Sequence, residues 1–213
     1  MDIVTAKIAG YDGEVITLLP SVPLDHELMT KQPDYIEIRL HDGRAISAEQ
    51  RKRIFATIRD IAKWSGEEPE YLRSMLTWDY CREAECDYFS LSTIDMETAR
   101  GFINYLIEFC LKWGVPLSEK PTERTDDIDK YLYNCIKYRK CCICGRHADI
   151  HHITGSRIGM GNDRREVLQV GREAIALCRD HHSICHNDEL KLLGKYKVYG
   201  IKLDEYLVKR LNL

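Results

Sequence analysis

Residues 141 to 186 carry the side chains best suited to chemistry. They read Cys141-x2-Cys144, His151-His152, then Cys178-x2-His181-His182-x3-His186. Thiolates and imidazoles bind metal ions, and imidazoles also move protons near neutral pH. Structural zinc usually takes four such ligands, often as two close pairs. Cys141-Cys142-Ile143-Cys144-Gly145 has the form of a zinc knuckle, with Gly145 at the tight turn, and Cys178-Arg179-Asp180-His181 supplies a second pair. The flanking YRK and GRHAD are polar, which argues against buried thiols as the whole explanation. Cys142 and Cys185 are either alternative ligands or packed thiols. Cys81, Cys86, Cys110 and Cys135 are scattered and read as small buried hydrophobes.

The remaining histidines form a second tier. On a helix, residues four apart share a face, so His182 and His186 reach one ion. His181 is rotated by about 100° from His182 and faces a different site, where the cysteines need a fourth ligand. His151-His152 closes the strand-like piece ADIHHI. Neighbours on a regular strand point to opposite faces, so both serve one site only if the strand bends.

These residues need a frame. The chain has 213 residues and nine cysteines, enough for one large or two small domains. The expected boundary lies near 120–126, where Val115 to Asp126 carries two prolines and several charges, as a linker does. The expected fold class is α+β, with a mixed α/β domain over 1–125 and a small metal-stabilised domain over 126–213. Strand-like pieces open the chain: DIVTAKIAG, EVITLLP and YIEIRLHDG, the last turning at His41-Asp42-Gly43. Ser47-x2-Gln50 predicts a capping box and a helix to about Trp64, with Ile54, Phe55, Ile58, Ile61 and Ala62 inward and Gly66 as the stop. A second helix is expected from Glu68 to Cys81, with Leu72, Met75 and Leu76 inward. A short strand YFSLST follows. Ser92-x2-Asp95 then caps a helix to Trp113, and a last helix runs from Asp127 to about Tyr138 into the metal motif.

Charge separates the same two parts. Residues 1–125 hold 15 Lys and Arg against 22 Asp and Glu, and residues 126–213 hold 16 against 12. The metal-bearing part is therefore the one that attracts a polyanion. No apolar run is long enough to span a bilayer, and MDIVTAKIAG lacks a secretory pattern, so the expected location is cytoplasmic, with no membrane partner. In a reducing compartment, cysteines clustered with histidines indicate metal rather than disulfides.

The segment CICGRHADIHHITGSRIGMGNDRREVLQVGREAIALCRDHHSICHND resembles the HNH endonucleases, whose fold is a ββα-metal unit. Within them it is most similar to phage-encoded, zinc-stabilised members with an LCR-x-HH-x3-H ending. The resemblance covers roughly residues 138–190. It implies Cys141, Cys144, Cys178 and His181 as structural zinc ligands, His151, His182 and His186 as ligands of catalytic Mg²⁺ or Mn²⁺, and His152 as the general base. It also implies DNA, duplex or branched, as substrate and products with 5′-phosphate and 3′-hydroxyl ends. HNH enzymes often place an Asn a few residues before the Leu-Cys, where this chain has Glu173. Asn162, in the loop GMGNDRR, either fills that catalytic role or is a turn residue. Arg157, Arg164 and Arg165 on the same loop are candidate DNA contacts.

Residues 88–117, with SLSTIDMETARGFINYLIEFCLKWGVPL, resemble the NinB or Orf family of phage recombination mediators. That resemblance implies single-stranded DNA and the host single-stranded-DNA-binding protein as partners, and a homodimer. The acidic charge of this half fits protein contact or dimerisation better than naked DNA. The expected function is a metal-dependent nuclease acting during phage or prophage recombination or replication. The alternative is a non-catalytic, zinc-dependent DNA-binding mediator, which has no need of His152, His182 and His186.

Overall fold

The structure, a computed structural model, describes residues 6–20, 23, 30, 44–156 and 168–213. The chain divides into two compact units, Met1–Asp42 and Gly43–Leu213.

In the first unit, β1 (Ala6–Tyr11) and β2 (Ile16–Pro20) form an antiparallel hairpin with an irregularity between Ile8 and Gly10. Asp12 shapes the turn, accepting from the backbone amides of Glu14 at 3.1 Å and Val15 at 2.9 Å. The first two expected strands are these. The third, YIEIRLHDG, and the His41-Asp42-Gly43 turn lie outside the described residues.

The second unit begins with three helices. Helix α1 (Ala48–Ser65) has the reciprocal capping box of Ser47 and Gln50 and ends at Gly66, whose φ of 80° suits glycine. Ile54, Ile58, Ile61 and Ala62 are buried as expected, but Phe55 lies on the exposed side. Helix α2 is Pro69–Ala84, and α3 is Met96–Trp113 with Gly114 as its left-handed cap. Asp95 caps α3 by accepting from the amides of Glu97 and Thr98, so the cap is Asp95 and not Ser92.

YFSLST is not a strand. Phe89 packs edge-on against Phe102, at 5.5 Å between ring centres, and Leu91 is buried, while Ser90 closes a turn onto Thr93 and Ile94. Its alternation reflects packing on α3 rather than pairing. A strand needs a neighbour to bond its backbone, and what lies nearby among the described residues is an isolated bridge between Ala45 and Asp95.

The segment read as a linker is fastened to α1. Arg124 closes the short helix α4 (Pro121–Arg124), is 1 % exposed, and donates to Asp60 at 3.1 Å and to the Ser118 hydroxyl at 2.9 Å. Arg53 pairs with Asp126. Helix α5 (Ile128–Lys137) follows, capped by Asp127. Glu108 of α3 accepts from Lys137 at 2.7 Å, Tyr138 at 2.8 Å and Asn134 at 3.3 Å. The buried core runs from Ile46 to Leu211 across residue 125 without interruption.

The rest of the unit holds the motif residues. Strands β3 (Asp149–His152), β4 (Glu173–Leu177) and β5 (Ile201–Lys202) form an antiparallel sheet in the order β3-β4-β5. Helices α6 (Arg179–Asn187), α7 (Glu189–Tyr196) and α8 (Glu205–Leu211) complete it. Gly200 lets the chain entering β5 pass close to Ile153, since a Cβ there would sit 2.9 Å from the Ile153 Cδ1. Among the described residues, no helix is long and apolar enough to cross a membrane.

Candidate metal centre and active site

The knuckle is built by its backbone. The Cys141 amide donates to the Arg146 carbonyl at 2.7 Å, and the Gly145 amide to the Cys141 carbonyl at 2.8 Å. Gly145 has φ 72°, the left-handed conformation such a turn requires. The Cys142 amide donates to the Ala176 carbonyl of β4 at 3.1 Å, and the buried Tyr131 hydroxyl donates to the Cys142 carbonyl at 2.7 Å. These bonds carry the knuckle against the end of β4, where Cys178 begins α6.

Cys141, Cys144, Cys178 and His181 therefore meet, their donor atoms all within 4.8 Å of one another. The Cys144 and Cys178 sulfurs are 3.7 Å apart, and His181 Nδ1 lies 3.5 Å from the Cys141 sulfur and 3.2 Å from that of Cys178. Two sulfurs each ~2.3 Å from a tetrahedral ion sit roughly 3.8 Å apart, so the spacing fits zinc. Charge fits as well. Burial pushes the Cys141 thiol up to about 12, so a thiolate there requires a cation. Cys144 is exposed. Partial burial raises its thiol, but the Arg146 guanidinium, nearby amides and the other two thiols outweigh this and lower it. Arg146 donates to both the Cys144 and Cys178 sulfurs at 3.4 Å and to Asp180 at 2.6 Å, bracing the cluster from outside.

The second cluster stands on β3 and α6. His151, His182 and His186 also bring one donor atom each within 4.8 Å. Their ring centres are 4.7 to 4.9 Å apart. His182 and His186 come together because they sit one turn apart on α6, while His181 is turned away to the cysteines. His151 arrives from the sheet and is buried, 4 % exposed. Burial is the main cause that lowers its pKa; the neighbouring His182 and His186 add to this and Glu189 opposes it. A neutral imidazole with its lone pair available is what a metal site needs.

Strand β3 keeps a regular register, His151 opposite Ile175 and His152 opposite Ala174. The bend that would put both histidines on one face is absent. His152 points to the other side of the hairpin, where its Nε2 lies 2.9 Å from the amide oxygen of the buried Gln169. Glu173 opens β4 and secures the end of β3 by its backbone: its amide donates to the Ser156 hydroxyl at 3.0 Å and its carbonyl accepts from Ile153 at 3.2 Å.

A hairpin of two strands with a helix behind it, a cluster of three cysteines and one histidine at its base and three further histidines on its flank are now in place. The family profile described as "Putative HNHc nuclease" matches residues 23–213. The chain belongs to this family of HNH nucleases. The match takes in most of the acidic helical part as well as the motif, so both lie within one family unit. No curated protein and no solved structure matches the chain.

Two residues of this HNH nuclease escaped the sequence reading: Gln169, against His152, and Glu189, whose carboxylate lies 3.4 Å from His151 Nε2. Nothing in their spacing marked Gln169. Glu189 follows His186 by three positions, close enough to have been weighed as a site acid. Cys142 and Cys185 are fully buried outside the four-donor cluster, and Cys185 is grouped instead with His151 and Glu189. Asn162, Arg157, Arg164 and Arg165 lie outside the described residues.

Proposed function

We propose that this protein is a divalent-ion-dependent HNH endonuclease that hydrolyses DNA phosphodiester bonds in recombination or replication intermediates of a phage or prophage. The observation that carries the reading is the convergence of His151, His182 and His186 next to, but separate from, the four-donor cysteine cluster. A purely structural zinc module has no use for the second set.

In this reading Cys141, Cys144, Cys178 and His181 hold zinc and take no part in the reaction. His151, His182 and His186 hold Mg²⁺ or Mn²⁺, which when bound polarises the scissile phosphate and stabilises the leaving oxygen. His152 is the general base. With the Gln169 amide oxygen accepting from Nε2–H, the neutral ring keeps its lone pair on Nδ1, and that atom takes the proton from the attacking water. The same hydrogen bond persists in the imidazolium, so Gln169 supports both states of the base. Arg157, Arg164 and Arg165 contact phosphates, and Asn162 takes the part of the middle HNH residue that orients the strand holding the base. The acidic part, 1–125, serves partner binding or dimerisation beside the nuclease part, 126–213, in the manner of the recombination mediators it resembles.

Linear, single-stranded, flapped and four-way-junction DNA incubated with the full chain in Mg²⁺ or Mn²⁺ tests this directly. The expected result is cleavage to 5′-phosphate and 3′-hydroxyl ends that disappears in His152→Ala. Binding of these DNAs without cleavage of any would replace the reading with that of a zinc-dependent DNA-binding mediator.

A further inference from the structure

Glu189 opens α7 beside the buried His151. A first-turn glutamate on an exposed helix normally faces solvent and owes its place to the helix dipole. The Glu189 side chain is instead only 11 % exposed. It turns back to the residues just after β3, where both carboxylate oxygens accept from the Thr154 amide, at 3.0 and 3.2 Å. Held this way, Oε2 faces His151 Nε2 at 3.4 Å. That separation is long for a neutral hydrogen bond, but the backbone amide of Thr154 fixes the carboxylate and its own burial fixes the His151 ring. The neighbouring turn thus ends in an acid aimed at one nitrogen of one histidine.

A metal-binding imidazole commonly donates its other ring N–H to a carboxylate, which sets the tautomer, orients the ring and raises its basicity; losing such a partner typically costs about 10–100-fold in metal affinity. From this geometry we infer that Glu189 is a positioning residue that holds His151 as the Nε2–H tautomer and presents Nδ1 to the divalent ion. The inference rests on the reading of His151, His182 and His186 as the ion's ligands. Asp188 caps α7 by accepting from the Lys191 amide, so the helix keeps its cap when Glu189 is replaced.

The experiment compares the full chain with Glu189→Gln and Glu189→Ala. Each is loaded with zinc at the cysteine cluster and titrated with Mn²⁺, the free ion being followed by electron paramagnetic resonance. Zinc content and melting temperature report whether each variant is folded. The expected result is a loss of Mn²⁺ affinity of about tenfold for Gln, which keeps an acceptor oxygen, and about 100-fold for Ala. Histidine-selective long-range ¹H–¹⁵N NMR of the ion-free protein should show His151 protonated at Nε2 in the parent and as a mixture of tautomers in Glu189→Ala, a change that mere loss of packing does not produce. A parent that binds Mn²⁺ with folded variants that bind it equally well overturns the role of Glu189 alone. A parent that takes up no second ion overturns the ligand reading, and the inference with it.

Discussion

His151 and His152 are adjacent on β3 yet serve opposite faces of the hairpin: His151 is buried against His182 and His186, and His152 lies 2.9 Å from Gln169. The regular strand sends two neighbouring imidazoles to opposite faces of the hairpin.

Removing the base is expected to leave the architecture intact. His152→Ala should slow cleavage by about 10²–10⁴-fold, the usual contribution of a general base, with unchanged zinc content and melting. Gln169→Ala should slow it less, since it disturbs only the orientation of His152. Initial rates of plasmid nicking in Mn²⁺ check both, and an undiminished rate in His152→Ala would dismiss the assignment.

The cysteine cluster should behave as part of the fold. Cys141→Ala or Cys144→Ala is expected to lose one equivalent of zinc and to lower the melting temperature on the order of 10 °C, given about 2–4 °C per kcal/mol for a chain of this size. Metal analysis and calorimetry read the two effects. Full zinc occupancy with unchanged melting would remove these cysteines from the ligand set.

Acid should weaken both stability and ion binding. The folded pKa of His151 is lowered, chiefly by burial, and that of His181 is lowered, chiefly by burial and then by Arg146. In the ion-free protein the unfolded chain therefore binds these protons more readily. The associated stability is complete above the unfolded value of ~6.5 and is lost as pH falls from there through the folded values. Urea midpoints of ion-free protein from pH 8 to pH 5 should fall below about pH 6.5. Mn²⁺ affinity should fall over the same range, because the protons compete for the ligand nitrogens. A flat profile would contradict both expectations.

Arg124 offers a test remote from the site. Its guanidinium is buried against Asp60, itself 11 % exposed, and truncation leaves that carboxylate without a counter-charge, held only by the Ser118 amide and hydroxyl. Arg124→Ala should cost about 3–5 kcal/mol, whereas Arg124→Met combined with Asp60→Leu should cost far less. Equal losses in the single and the double variant, measured by urea unfolding, would show that the ion pair is not what holds segment 115–126.

Much of the local structure was legible in the sequence. The Ser47–Gln50 box, the helix start at Asp127 and the glycine stops at Gly66 and Gly114 depend on groups a few residues apart, so type and spacing suffice. The i, i+4 pairing of His182 with His186, and the turning away of His181, follow from helix geometry alone. YFSLST misled because alternation records which side chains are buried, not whether a neighbouring strand is present to bond the backbone.

What the sequence by itself determined is the donor inventory, its division at His181-His182 and the helices that carry it. The tertiary structure decided that β3 runs without a bend, so that His151 and His152 part company, and that Gln169 and Glu189 reach them from elsewhere. It also decided that the proline-bearing segment before Asp126 is fastened by Arg124 to a core shared on both sides. Caps and helical faces are set by bonds that close over one turn. Each of the later contacts joins groups 17 to 64 residues apart, and such pairs meet only where the packing of whole elements brings them together.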